Sequence, residues 1–159
     1  MKQKELARWL RVVVIIGWGT CALLSVFIAP ELARDAAEGV PDLAYLMWPC
    51  LAIFWIGMVP IALALWHGWK IFGEIGRDNS FCRENARRLR IISLLALADT
   101  VLCLLSIVLL FVLNALHPGV FLLMLFIAVV GAGITAAAAA LSHLTLKAAL
   151  LQDENDLTI

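Results

Sequence analysis

Charge is scarce in this sequence, and its absence from long stretches decides the class of the protein. Only 15% of residues are charged and 64% are hydrophobic, with a mean hydropathy of +0.98, far from the composition of soluble domains. Four apolar runs, over about residues 10–29, 43–75, 83–116 and 120–149, each reach the roughly 18 residues that cross a hydrocarbon core of about 30 Å. With 159 residues in all, no room is left for a soluble domain beside them. The expected fold is all-α, an integral membrane four-helix bundle forming a single domain. Cysteine is also sparse: Cys21, Cys50, Cys82 and Cys103 show no paired spacing, so they read as small packing residues rather than redox or metal groups. There is no phosphate loop, no serine or cysteine nucleophile beside a base, and no metal-spaced cluster. These absences argue against an enzyme, and no cofactor is expected.

What charge there is falls unevenly. Residues 71–92, with Lys70 just upstream, carry Arg77, Arg83, Arg87, Arg88 and Arg90 against Glu74, Asp78 and Glu84. A basic segment between two apolar runs belongs in the cytoplasm. The start of the chain is basic too, through Lys2, Lys4, Arg8 and Arg11. It resembles the flank of a signal peptide, but the apolar run that follows is too long and lacks a clear cleavage site, so an uncleaved first span is expected. Residues 30–42 are acidic, with Glu31, Asp35, Glu38 and Asp42 against Arg34, and read as an outer connector punctuated by Pro30, Gly39 and Pro41. Both termini are then cytoplasmic, with eleven of the twelve Lys and Arg residues inside and Arg34 the exception. The zero net charge conceals this asymmetry.

Tyr45 and Trp48 open the second span and Trp66 and Trp69 close it, as interfacial anchors. Pro49 and Pro60 predict kinks, because proline lacks an N–H and crowds the carbonyl four residues earlier. Lys70 with Glu74, in the weaker orientation, and Glu84 with Arg88 are spaced to pair along a helix. The third helix is expected to begin near Cys82 or Arg83, with Arg83, Arg87 and Arg90 on one face and Phe81, Asn85, Leu89 and Ile92 on another. Gly17, Cys21 and Ser25 in the first span, and Gly131, Thr135 and Ala139 in the fourth, form small-residue stripes that admit a neighbouring helix. The residues around Pro118 and Gly119 read as a tight turn, and the acidic tail after residue 151 is too short to fold by itself.

Asp99 is the one carboxylate inside a span, about 14 Å along the helix from Arg90. Such a group marks a functional position by default, a proton relay for example. The competing reading is a structural clasp, in which Asp99 donates to the Ile56 carbonyl that Pro60 frees, with Thr135 and Ser142 as further intramembrane polar groups. His67 and His143 sit at one level near the inner end and would suit axial haem ligation if they faced each other. The alternative is two interfacial histidines with polar tips in the headgroup region. The arginine segment serves orientation and anionic-lipid contact, and offers a docking surface for a cytoplasmic protein. Interleaved acids and the lack of a DNA-reading motif argue against direct nucleic-acid binding.

At the hairpin, KIFGEI followed by a turn and SFCRENARRLRIIS resembles the signature of domain-of-unknown-function family 2975, small bacterial four-span membrane proteins. Phe81, Glu84, Asn85, Leu89 and Arg90 match its pattern. Cys82 stands where a hydroxyl is expected, which shifts the helix cap toward Ser80 or Asn79. The resemblance implies the bacterial inner membrane and no established activity. Members of the family are often encoded beside small helix-turn-helix regulators, which suggests a membrane protein that tethers or regulates such a DNA-binding partner through Phe81, Arg83, Glu84, Asn85, Arg87, Arg88 and Arg90. The alternatives from other classes are a small proton-coupled exporter, a homo-oligomer working through Asp99, and a b-type haem protein.

Overall fold

The computed structural model describes residues 3–77 and 79–156. Lys2 and Asp78, which enter the charge pattern above, and the last three residues of the tail lie outside them. Regular structure among the described residues is helical throughout: α1 (Gln3–Leu23), a π-helical turn (Leu24–Ile28), α2 (Ala29–Gly39), a 3-10 segment (Pro41–Leu46), α3 (Met47–Ile75), α4 (Arg83–Val112) and α5 (Pro118–Asp156). Four stretches, Glu5–Gly39, Pro41–Ile75, Arg83–Val112 and Pro118–Asn155, are long and apolar enough to cross a membrane. The chain is an all-α multi-pass membrane protein built as a bundle of these four.

The first span differs from the sequence expectation. Instead of ending near Ala29 in an acidic loop, the helix runs on to Gly39. Pro30 has no N–H, and the chain meets that defect by widening one turn: the Ala29 N–H bonds to Leu24 O, five residues back, as π-bulges do. In this register the carbonyl that residue 30 would have bonded is that of Ser25. Trp55 Nε1 of α3 donates to it at 3.1 Å, so the group Pro30 leaves open is satisfied across the helix pair. Pro49 lies in the first turn of α3, where proline displaces no helical hydrogen bond. Pro60 alone is interior to that helix.

Two other boundaries moved for local reasons. α4 stops at Val112 rather than near residue 116, because Asn114 turns left-handed at φ 52°. Ala115 N–H then bonds Leu110 O and Asn114 N–H bonds Phe111 O, the pattern of a Schellman stop with asparagine in the place glycine usually takes. His117 follows, and its Nδ1 accepts the Gly119 N–H at 3.2 Å, which caps α5 beside the favoured proline at its first position. At its far end α5 extends through the acidic tail to Asp156, so the tail does not stand alone but continues the helix.

Successive spans pack antiparallel. α1 lies on α3 with Gly17 against Leu65 and the Trp18 and Trp66 rings 6.3 Å apart, so the predicted stripe of Gly17, Cys21 and Ser25 does face a helix. α4 and α5 form the tightest pair. Ser142 donates to Ala86 O at 2.7 Å, Ser93 donates to Thr135 O at 2.9 Å, and Cys103 lies 3.3 Å from Met124 O. Ala86, Ser93 and Thr100 are buried at seven-residue intervals, opposite buried Ala128, Ala138, Thr145 and Ala149. Small side chains let the backbones approach, and the hydroxyls then reach carbonyls of the facing helix. In the second stripe it is Ala138, not Ala139, that is buried.

Candidate functional site

The hairpin between α3 and α4 is a built structure. Gly76 ends α3, its N–H bonding to Phe72 O. Residue 82 opens α4 in an extended conformation, without a side-chain cap. Neither Ser80 nor Asn79 supplies that cap, contrary to expectation. Asn85 closes the turn from inside the helix instead: its Nδ2 donates to Ser80 O at 3.1 Å and Asn79 O at 3.4 Å, and the residue is 1% exposed. Arg88 Nη1 lies 3.5 Å from Asn85 Oδ1, and Arg88 Nε pairs with Glu84 at 3.3 Å with only 15% of its side chain exposed. Arg83 reaches across to α5, both Nε (3.1 Å) and Nη2 (2.8 Å) on Asp153 Oδ2.

These contacts divide the predicted partner-binding residues into two sets. Asn85 and Arg88 are consumed in holding the turn, and Arg83 ties it to the tail of α5. Arg87 and Arg90 are exposed and pair with no other described residue. Phe81, expected on the buried face with Asn85, precedes the helix and is 59% exposed, because the extended backbone at residue 82 takes it out of helical phase. Glu84 is also exposed. The hairpin thus presents an aromatic ring and two unpaired guanidinium groups on a rigid frame. Lys70 does not pair with Glu74 but lies over the Trp66 ring at 5.2 Å, while Glu74 pairs with Arg77 at 3.7 Å. Arg11 of α1 stacks on Trp69 at 5.2 Å, a contact that nothing in the spacing announced.

Asp99 sits where α3, α4 and α5 converge. Its Oδ1 lies against Gly57, so close that a Cβ there would be 3.2 Å away. Gly57 is one residue past Ile56, the residue whose carbonyl Pro60 leaves without its helical partner. Among the described residues no hydrogen bond or ion pair engages the Asp99 carboxyl group. Two cavities meet at this point: one of about 580 Å³ beside the first half of α3, and one of about 550 Å³ beside its second half, reached also by Val14 of α1. Thr135 and Ser142, the other expected intramembrane polar groups, are drawn elsewhere. Thr135 Oγ1 donates back to Gly131 O at 2.9 Å, and Ser142 bonds α4 as described above.

The two histidines stand on different helices, His67 on α3 and His143 on α5. His67 is half-buried, with Nδ1 shielded and without a hydrogen-bond partner. His143 follows Ser142, the residue turned toward α4, and is itself exposed. All four cysteines are free thiols. No group of three or more His, Cys, Asp or Glu residues among those described is placed to hold a metal ion.

A family profile described as protein of unknown function (DUF2975) matches residues 31–159. The match begins at α2 and takes in the hairpin, the Asp99 helix and all of α5. An uncharacterized membrane protein, YoaS of Bacillus subtilis (strain 168), is 26% identical over 148 residues, which is 92% of each chain. No solved structure matches the chain.

Proposed function

The chain belongs to the DUF2975 family of membrane proteins, and from that premise we propose that it is a non-enzymatic membrane component that holds a cytoplasmic protein at the α3–α4 hairpin. The observation that carries this reading is the division of labour among the arginines. A segment needed only for orientation requires positive charge and no fixed shape. Here Asn85, Arg88 and the Arg83–Asp153 pair fix a frame, and Phe81, Arg87 and Arg90 stand out from it uncommitted. Aromatic and arginine side chains on a rigid support are the groups that carry binding energy at interfaces. The positive surface calls for an acidic partner face. A small helix-turn-helix regulator, the class the family resemblance suggests, is the partner proposed.

The test separates the frame from the surface. Tagged protein is solubilised gently from native membranes, and co-purifying proteins are identified for wild type, for Arg87→Gln with Arg90→Gln, and for Phe81→Ala. The expected outcome is a regulator recovered with wild type and reduced at least about tenfold, some 1.4 kcal/mol, in both variants. Equal recovery from all three, or no regulator from any, overturns the proposal.

A further inference from the structure

We infer that the clefts between α3, α4 and α5, open on the side of Ile127, hold a binding site for a hydrophobic organic cation, an ammonium or phosphonium with bulky apolar substituents, with Asp99 as its counter-ion. The inference rests on the cavities and not on the hairpin's partner. Asp99, Ile61 and Ile127 line both cavities, so the carboxyl group stands at a waist between two apolar spaces that follow the helix axes. Apart from it the walls are almost wholly hydrocarbon, with aromatic rings in both: Phe54 in one, Phe72 and Phe126 in the other. Gly57 is what lets the space reach the carboxylate, since any larger residue would press on Oδ1.

The chemistry of the occupant follows by elimination. A hydrated metal ion needs several oxygen ligands, and this site offers one carboxylate. An anion is repelled by it. Lipid tails alone would fill the volume but leave a carboxylate facing hydrocarbon without a counter-charge, an arrangement that membranes penalise. A proton on Asp99 together with lipid tails would meet charge and volume, and the titration below separates that state from a bound cation because it predicts no saturable phosphonium binding. A cation that spreads its charge over apolar groups meets every feature at once: it is weakly hydrated, it fills the cavities, it pairs with Asp99, and it gains from an aromatic face.

Tetraphenylphosphonium and tetraphenylborate have the same shape and opposite charge, so together they separate charge recognition from hydrophobic uptake. Full-length protein in neutral-lipid nanodiscs is titrated with each by equilibrium dialysis against empty nanodiscs. Saturable binding of the phosphonium is expected, with none of the borate, and a loss of at least about tenfold in Asp99→Asn. Ile61→Trp keeps the carboxylate and fills the waist, and it should lose binding to the same degree, which keeps the test decisive if Asp99→Asn fails to fold. Absence of saturable phosphonium binding, equal binding of both ions, or wild-type affinity in either folded variant overturns the site.

Discussion

Asn85 donates both of its amide hydrogens to carbonyls of the turn while almost fully shielded from solvent. Replacing it with alanine strips Asn79 O and Ser80 O of these donors and takes away the acceptor near Arg88 Nη1, leaving Arg88 its pair with Glu84. Leaving buried polar groups unmet costs about 1–3 kcal/mol, so Asn85→Ala should lower the melting temperature of the detergent-purified protein and speed amide exchange over residues 79–86. Asn85→Asp keeps the shape but has no N–H to give, and should behave alike. Unchanged melting and exchange in both variants would mean the turn holds without the clasp. The sequence singled out Asn85 together with Arg83 and Arg88 for a partner, and in the structure their side chains also hold the turn. Side-chain spacing identifies which residues share a face, whereas the fold of the turn decides whether an amide spends its donors on backbone or keeps them for a partner. Asp153 shows the same limit: it pairs with Arg83 only because α5 runs past the membrane stretch, which an acidic tail did not suggest.

At the scale of elements, the α4–α5 seam depends on glycine at one point. A Cβ on Gly131 would collide with Thr100 Oγ1, which is held in place by its bond to Ala96 O at 2.8 Å. Once that oxygen is removed, the nearest atom to the new Cβ is Thr100 Cβ at 3.5 Å, an ordinary contact. Gly131→Ala alone should therefore destabilise by about 1–3 kcal/mol, the range for overpacking. Thr100→Ala should recover most of that loss in the double variant. Gly133, with no atom near its virtual Cβ, is the control, and Gly133→Ala should not destabilise. Thermal unfolding of the four proteins gives the cycle, and additive losses would place the strain elsewhere. This seam was legible in advance as a small-residue stripe, since helical period and residue size are properties of the chain itself. The continuation of the first span past Pro30 was not legible. It needs a π turn and the Trp55 indole from another helix, and a proline read alone signals a stop.

For the whole molecule, the arrangement of ends and the proposed function stand or fall together. The start of α1, the α3–α4 hairpin and the end of α5 share one end of the bundle, because successive spans are antiparallel, and that end collects ten of the eleven described Lys and Arg residues. Each base near an anionic cytoplasmic surface contributes about 1 kcal/mol, so the asymmetry is far larger than the loss of two arginines in the partner test could reverse. The expectation is a cytoplasmic hairpin and an outer α2. Native Cys82 reports the first. Gly39→Cys reports the second, since Gly39 ends α2 with open space around it, and Cys82→Ser in the same chain removes the competing thiol. A membrane-impermeant maleimide should label Gly39→Cys in intact cells, and wild-type Cys82 only after the membrane is opened. The opposite pattern would put Arg87 and Arg90 outside the cell, beyond reach of any cytoplasmic regulator. The tether would then fail while the Asp99 site survived, because a cavity between helices is the same in either orientation.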